Sequence, residues 1–291
     1  DVQWSAVTRT RLALLLAPLA ALGLLVGCSE PPVPPSVTVE GPPGSEPVVR
    51  YPVPFEIAET SSDVVVEGNG PRLRADEPVL LHYRLESATT GELIDQTFTG
   101  LPKTYLLTPE DLSLELYEAL VRVRVGSRVL LLTTGAPEIG TVPTVLVADV
   151  LPTEATGTPV EPRADLPVVT LDDDGVPQVS IPDADPPSEL EVQTLVRGSG
   201  EQVSTQSTVV VQYMMVRWRD GEVVDSTWEA LGPRSFSLAE AITGWTLGLA
   251  EQTVGSRVLL VVPPAAAVGD DGGNDLTGET VVHVVDILAA T

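Results

Sequence analysis

Cysteine and histidine are scarce in this chain, which has one cysteine, Cys28, and two histidines among its 291 residues. A lone cysteine cannot form an intrachain disulfide. A zinc site needs three or four nitrogen or sulfur ligands, and a serine hydrolase of the Gly-x-Ser-x-Gly type needs a motif that is absent from this sequence. No metal or organic cofactor is implied.

Basic residues are also few, because the chain has 16 lysines and arginines against 41 acidic residues, for a formal charge of −25. Nucleic-acid binding requires a basic surface, so nucleic acid is not an expected partner. We interpret the excess acid as a solvated surface, with an acidic binding face as the alternative. Aromatic residues make up only 4%, but a hydrophobic fraction of 43% supports a buried core, and the length accommodates two domains.

The start of the chain has the pattern of a secretory signal peptide. Arg9 and Arg11 precede an apolar run of fifteen residues, 12–26, which is shorter than the roughly twenty residues that span a membrane. The letters LVGC, which end at Cys28, resemble a bacterial lipobox, where cleavage precedes a cysteine that carries a diacylglyceryl group. We therefore expect residues 1–27 to be a signal peptide and Cys28 to be lipidated. The alternative is an ordinary cysteine that follows a signal peptide.

Two stretches rich in proline, glycine and acidic residues are interpreted as connectors. Residues 28–54 are expected to form an extended, lipidated tether, and residues 152–187 a proline- and aspartate-rich linker. The linker contains Asp-Asp-Asp-Gly at 172–175. Its spacing does not match a calcium-binding loop, so a solvated turn is the favoured interpretation and a calcium site the alternative.

A long internal repeat organises the rest of the chain. The sequence VGSRVLL at 125–131 returns at 254–260, and other strand-like segments return at the same offset of about 130 residues. A period of that length is a whole domain. The repeat therefore predicts two tandem copies of one fold, over residues 55–151 and 188–291.

Within each copy the dominant hydrophobic period is two, which is typical of β-strands. In the second copy Val209, Val211 and Tyr213 share one face of a predicted strand, and one short helix is predicted over about 243–252. Many strands with one short helix indicate an α+β domain, in which the helix closes one face of an antiparallel sheet.

The stretch 208–269 carries an ordered series of motifs: a strand with Tyr213, the turn Asp220-Gly221, Val224-Asp225-Ser226-Thr227, Phe236, Ala241-Ile242-Thr243-Gly244-Trp245, Val254-Gly255 and Pro263-Pro264. This order resembles the FKBP-type peptidyl-prolyl cis-trans isomerases. The resemblance implies two tandem FKBP-like domains, each an antiparallel half-barrel sheet wrapped on a short helix.

The same resemblance implies the site residues of the second copy. The expected catalytic set is Tyr213, Asp225, Ile242 and Trp245, in which Trp245 is the pocket floor and the Ile242 amide holds the substrate carbonyl. The expected pocket set is Val224, Phe236, Ala241, Val268 and His283. The sequence departs from the family at three of these positions, because Val224 and His283 replace phenylalanines and Val268 replaces the flap tyrosine. For the aromatic residues and His283, ordinary core packing is the alternative.

The first copy departs further, since Leu116 stands where the second copy has Trp245 and Ser113 stands where it has Ile242. We expect it to be degenerate and non-catalytic. The favoured function is a lipid-anchored isomerase on the extracytoplasmic face of the cell membrane, acting on proline-containing polypeptides. The alternatives are a non-catalytic chaperone or peptide-binding module that uses the same groove, and a structural envelope lipoprotein.

Overall fold

The computed structural model describes residues 36–135, 141–228, 232–267, 276 and 278–291. The expected signal peptide, Cys28 and Val268 lie outside these residues. The N-terminal half of the described chain contains eight strands and one helix. In chain order they are β1 (Thr38–Glu40), β2 (Val48–Arg50), β3 (Ser61–Val66), β4 (Pro78–Ser87), β5 (Leu93–Gln96), β6 (Lys103–Leu106), α1 (Leu114–Leu120), β7 (Arg128–Thr133) and β8 (Thr144–Leu151).

The C-terminal half repeats this order and adds one short strand and one short helix. Its elements are β9 (Thr158–Pro159), β10 (Val168–Leu171), β11 (Pro177–Ser180), β12 (Glu191–Arg197), β13 (Thr208–Arg217), β14 (Val223–Ser226), β15 (Arg234–Ser237), α2 (Thr243–Leu249), β16 (Arg257–Val262), α3 (Pro264–Ala267) and β17 (Val281–Ala290). The helix predicted over 243–252 is confirmed and ends three residues earlier, at Leu249.

Two antiparallel sheets have the same strand order. The first sheet runs β3-β7-β8-β4-β5 with β6 also paired to β4, and the second runs β12-β16-β17-β13-β14 with β15 also paired to β13. In the second sheet the short strand β9 pairs with β12 as well. The long strands β4 and β13 thus each pair with two successive short strands along one edge.

The helix of the second sheet lies unusually close to the strand beneath it. Gly244 and Gly248 are one turn apart on α2, and a Cβ atom added to either would lie 2.6 Å from a methyl group of Val262 or Leu260 on β16. Glycine inside a helix costs about 1 kcal/mol relative to alanine. Here it is the condition for close packing, and it brings Trp245, which lies between the two glycines, down onto the inner face of the sheet.

Both connectors form β-hairpins that pack on the outer faces of the sheets. Strands β1 and β2 pair around Val39 and Val49, and β10 and β11 pair around Val169 and Val179, in the same register 130 residues later. Val39 and Val49 pack on the outer core of the first sheet, and Val169 and Val179 on that of the second. The expectation of an extended tether over 28–54 is therefore wrong for residues 36–54, and much of the expected linker 152–187 is an ordered part of the fold.

A buried arginine-aspartate pair joins the same two strands in each sheet. Arg128 Nε and Nη2 donate to Asp149 at 2.6 and 2.7 Å, and Arg257 donates to Asp286 with two hydrogen bonds of 2.6 Å. Both arginines are buried. Each buried charge needs such a partner, because an unpaired charge in the protein interior is very costly.

The first pair also holds its hairpin through direct hydrogen bonds. Arg128 donates to the carbonyl oxygens of Gly41 at 2.8 Å and Ser45 at 2.6 Å, and the Gly44 amide donates to Asp149 at 2.7 Å. The second pair receives a bond from the Ala155 amide instead, at 2.8 Å. Within the described residues Arg257 makes no hydrogen bond to the β10–β11 hairpin. Among the described helices, none is long and apolar enough to cross a lipid bilayer.

We predict that Arg128→Met loosens the first hairpin selectively. The substitution leaves Asp149 unpaired in the interior, which costs about 3–5 kcal/mol of folding stability, and it also removes the bonds to Gly41 and Ser45. Hydrogen exchange should therefore accelerate over residues 38–50 beyond the global change. Arg257→Met is the matched control, since it should destabilise the protein without selective exchange over 168–180. Equal behaviour of the two hairpins would contradict this assignment.

Candidate functional site

Three aromatic rings meet on the inner face of the second sheet. Tyr213 on β13, Phe236 on β15 and Trp245 on α2 lie with ring centroids 5.1–5.7 Å apart, and each pair has a T-shaped arrangement. Edge-to-face contacts of this kind each add about 0.5–1.5 kcal/mol beyond burial. The rings thus form a rigid apolar floor, and the structure brings together three residues that the sequence analysis placed in one pocket.

His283 on β17 completes this floor as a hydrogen-bond acceptor. The indole Nε1–H of Trp245 donates to His283 Nδ1 at 3.2 Å, and both side chains are buried. Burial lowers the pKa of His283 to about 4, so the imidazole is neutral near pH 7. Because Nδ1 accepts a hydrogen bond, the single proton of the neutral ring lies on Nε2. That N–H group is buried without a partner among the described residues.

A tyrosine-aspartate pair forms the polar edge of the site. The Tyr213 hydroxyl donates to Asp225 Oδ2, while Asp225 Oδ1 accepts the Ser226 amide at 2.9 Å. Burial, followed by the hydrogen bond to the carboxylate, raises the pKa of Tyr213 to about 12. The hydroxyl therefore stays protonated throughout the physiological range, and Asp225 is held in a fixed position beside the aromatic floor.

The remaining expected residues lie around α2 and β14. Ile242 is the N-cap residue of α2, and its amide N–H has no acceptor within the part of the chain that the structure describes. Ala241 and Ile242 both pack on the aromatic core. Val224 lies at an irregularity in the β13–β14 pairing, is half-buried, and is not among the residues that pack on this core. The site thus offers an apolar floor, a fixed tyrosine-aspartate edge and an unused amide donor.

The first sheet keeps the polar edge and has tyrosines, Tyr83 and Tyr105, at the positions of Tyr213 and Phe236, but it replaces the tryptophan and the histidine. Tyr83 donates to Asp95 at 2.6 Å, as Tyr213 does to Asp225. Leu116 on α1 and Leu146 on β8 occupy the positions of the Trp245–His283 pair, since Leu146 pairs with Leu85 as His283 pairs with Met215. The second sheet therefore has both the indole donor and its imidazole acceptor, and the first sheet has neither.

Sequence reasoning missed this coupling and treated His283 only as a replacement for a phenylalanine. The internal repeat contained the signal for it. Trp245 and His283 of the second copy are both leucines in the first copy, and these are the two residues that hydrogen-bond each other in the second.

In the described ranges no group of three or more metal-ligating side chains lies together.

Comparisons with known proteins place residues 199–288 in one family. The family model of FKBP-type peptidyl-prolyl cis-trans isomerases matches these residues. A probable FK506-binding protein of Corynebacterium glutamicum is 34% identical over 115 residues, which cover 39% of this chain and 98% of the relative. The outer membrane protein MIP of Legionella longbeachae is 31% identical over 105 residues, which cover 35% of this chain and 45% of that protein. The crystal structure of FkpA from Escherichia coli matches with a TM-score of 0.33 and 30% identity, covering 42% of this chain and 51% of that one.

We predict that His283 makes folding stability pH-dependent. Its pKa is about 4 in the folded protein and about 6.5 in the unfolded chain, so between these values the unfolded state binds more protons. His283 therefore contributes about 3 kcal/mol to the free energy of unfolding. This contribution is fully present above pH 6.5 and is lost as the pH falls toward 4. Urea unfolding between pH 7 and pH 4.5 measures this decline.

His283→Phe should flatten that decline, although it should also lower stability at pH 7 because the Trp245 indole loses its acceptor. His82→Phe is the control. His82 is partly exposed, and burial lowers its pKa less far, so its substitution should remove a smaller part of the pH dependence. A decline of the same size in His283→Phe and in the wild type would show that His283 is not the titrating group.

Proposed function

Because this chain belongs to the FKBP-type peptidyl-prolyl cis-trans isomerases, we propose that Xaa-Pro bonds are isomerised on the aromatic floor of the second sheet. The observation that carries the proposal is the cluster of Tyr213, Phe236 and Trp245 beside the unused amide of Ile242. A flat apolar ring such as that of proline fits against such a floor. The Ile242 amide is the proposed donor to the substrate carbonyl.

The chemistry of this reaction needs no nucleophile and no acid-base pair. Rotation about the amide bond has a barrier of about 18–20 kcal/mol that is set by resonance. Twisting the amide reduces its charge separation, so an apolar, water-poor site favours the twisted state over the planar one. Fixed hydrogen bonds then hold the peptide while the bond rotates. The apolar floor and the rigid polar edge of the second sheet support this mechanism.

We also propose that turnover is slower than in relatives with a full aromatic pocket, because Val268 and His283 replace a flap tyrosine and a pocket phenylalanine. One missing neutral hydrogen bond costs about 0.5–1.5 kcal/mol, or up to roughly tenfold in rate. The same two replacements are what favours the second candidate function, binding without turnover.

The sequence is the basis for what we propose about the domain organisation and the location of the protein. The two sheets represent tandem FKBP-like domains over residues 55–151 and 188–291, of which only the second is catalytic. The protein acts outside the cytoplasm on proline-containing polypeptides and is held at the membrane by lipid on Cys28. The LVGC sequence that ends at Cys28 supports anchoring, and the name of the outer membrane relative supports an extracytoplasmic location.

Isomerase assays test the assignment. Wild-type protein should accelerate isomerisation of Ala-Xaa-Pro-Phe peptides, and Trp245→Leu should abolish this because it removes the largest ring of the floor. Leu247→Ala is the matched control on the same helix, since Leu247 is 60% exposed and should be dispensable. Circular dichroism checks that Trp245→Leu is folded.

If Trp245→Leu does not fold, Tyr213→Phe is the second variant. It retains the ring and loses only the bond to Asp225, so it should reduce the isomerisation rate up to tenfold. An inactive wild type would favour the binding function.

Anchoring is tested separately. We expect the wild-type protein to carry lipid on Cys28 and to fractionate with membranes, with its folded part accessible to protease added outside the cell. Cys28→Ala should release the protein or leave an unprocessed precursor, because the acceptor thiol is lost. Mass spectrometry of the N-terminal peptide identifies the modification. An unmodified cytoplasmic protein would contradict the proposed location.

A further inference from the structure

The first sheet contains a cavity of about 650 Å³ at the position that corresponds to the aromatic site of the second sheet. Ligand pockets in proteins have volumes of roughly 300–1,000 Å³, so this one is large enough for a sizeable group. It lies between α1 and the inner face of the sheet. The expectation that the first copy is non-catalytic leaves this cavity without a role.

The cavity exists because the two bulky members of the aromatic floor are leucines here. Leu116 replaces the indole, and Leu146 replaces the imidazole that accepts its N–H. Together with Leu81, Leu112 and Leu131 they form a leucine floor, which is bordered by the rings of Tyr83 and Tyr105. The leucine side chains have no hydrogen-bonding group, so they favour a bulky aliphatic or aromatic side chain, and the cavity lacks the indole ring that Trp245 provides in the second sheet.

The polar wall of the cavity is satisfied internally. Tyr83 donates to Asp95 at 2.6 Å, and Lys103 Nζ lies 2.9 Å from the Tyr83 hydroxyl and 3.8 Å from Asp95. Burial, with the neighbouring Tyr83 hydroxyl as the next cause, raises the pKa of Tyr105 to about 12. These groups therefore form a fixed wall that does not require a polar ligand, and apolar contact with the leucine floor remains as the source of affinity.

A second depression continues the cavity along the sheet edge. It has a volume of about 410 Å³ and shares Thr60, Glu115 and Leu131 with the first. Its other lining residues are mostly polar, and they include Ser61 and Ser62 on the exposed edge strand β3. An apolar cavity that opens into a polar trough suits an elongated ligand with alternating chemistry, which is a property of an extended polypeptide.

The cavity and the trough together are lined by four acidic side chains, those of Asp95, Asp111, Glu115 and Glu118, and by one basic side chain, that of Arg122, so the net charge of the lining points to a basic partner. The charged residues that line the cavity are Asp95, Asp111 and Glu115, and no lysine or arginine is among its described lining residues. Asp95 is paired with Lys103, and Asp111 accepts the Leu106 amide at 2.8 Å. Glu115 makes no hydrogen bond or ion pair within the described ranges. Its carboxylate is therefore available to a cation at the point where the cavity meets the trough.

From these observations we propose that the first sheet is a binding site for an extended polypeptide segment in which a bulky apolar side chain is flanked by lysine or arginine. The apolar side chain fills the leucine cavity, and the basic residue pairs with Glu115. The site binds without isomerisation and does not require proline. The proposal does not depend on turnover at the aromatic site of the second sheet.

Fluorescence anisotropy with the full chain tests this site. The probe is a fluorescein-labelled peptide, Gly-Lys-Phe-Lys-Gly, and its matched forms replace Phe by Ala or both Lys by Glu. We expect the parent peptide to bind at least tenfold more tightly than either matched form. Glu115→Gln should reduce the preference for lysine over glutamate, and salt should weaken binding of the parent peptide.

Filling the cavity provides the decisive variant. Leu116→Trp alone would bury an indole N–H without an acceptor, so Leu146→His is added to recreate the bonded pair of the second sheet. The double variant should be folded and should lose at least tenfold in affinity for the parent peptide. Leu114→Trp is the control, because Leu114 is 55% exposed on the same helix and its variant should bind within twofold of wild type.

The proposal is overturned by several distinct results. One is a folded double variant that binds like wild type, and another is the absence of binding by any peptide of the set. Loss of binding in Trp245→Leu would place the peptide in the second sheet, and a rise in molecular mass with protein concentration that blocks the probe would assign the cavity to self-association. Because anisotropy does not measure turnover, failure of the isomerase proposal leaves this test intact.

Discussion

The central strands of both sheets are apolar on both faces, so each sheet must be covered twice. In β16 all six residues, Arg257–Val262, are buried, and the strand has no solvent-exposed face. Strands of this kind are nearly continuous hydrophobic runs, unlike the alternating strands of sheets with one wet face. The inner face is closed by the short helix and the aromatic or leucine floor, and the outer face by a β-hairpin that precedes the sheet. The buried arginine-aspartate pair crosses the same two strands in each sheet, and in the first it also fixes the hairpin directly.

This double cover explains why the chain needs its two proline-rich stretches. Their composition is that of a connector, and much of their length is exposed. Four short valine-containing strands within them nevertheless bury apolar side chains that would otherwise leave the sheets uncovered. The repeat unit is therefore longer than the part that the family model matches, and it begins with the hairpin.

The two inner faces differ at a pair of facing positions, one on the helix and one on a strand. Where α2 carries Trp245, the facing strand carries an acceptor, His283, because a buried indole N–H without a partner would cost about 1–3 kcal/mol. Where α1 carries Leu116, the facing strand carries Leu146, and the site is a cavity of about 650 Å³. One scaffold thus presents an aromatic floor with a bonded tryptophan-histidine pair in one half and a cavity lined by leucines in the other.

The sequence by itself determined the family, the repeat, the short helix after Ile242 and the aromatic residues of the second sheet, because each depends on local periodicity or on an ordered set of motifs. It did not determine the hairpins, since four three- to four-residue strands in polar surroundings become strands only when a sheet face is available to bury their valines. It also did not determine the partner of His283 or the size of the first cavity. Those depend on which side chains meet across α2, β17, α1 and β8, which are far apart in the chain, and distance and burial between them exist only in the folded protein.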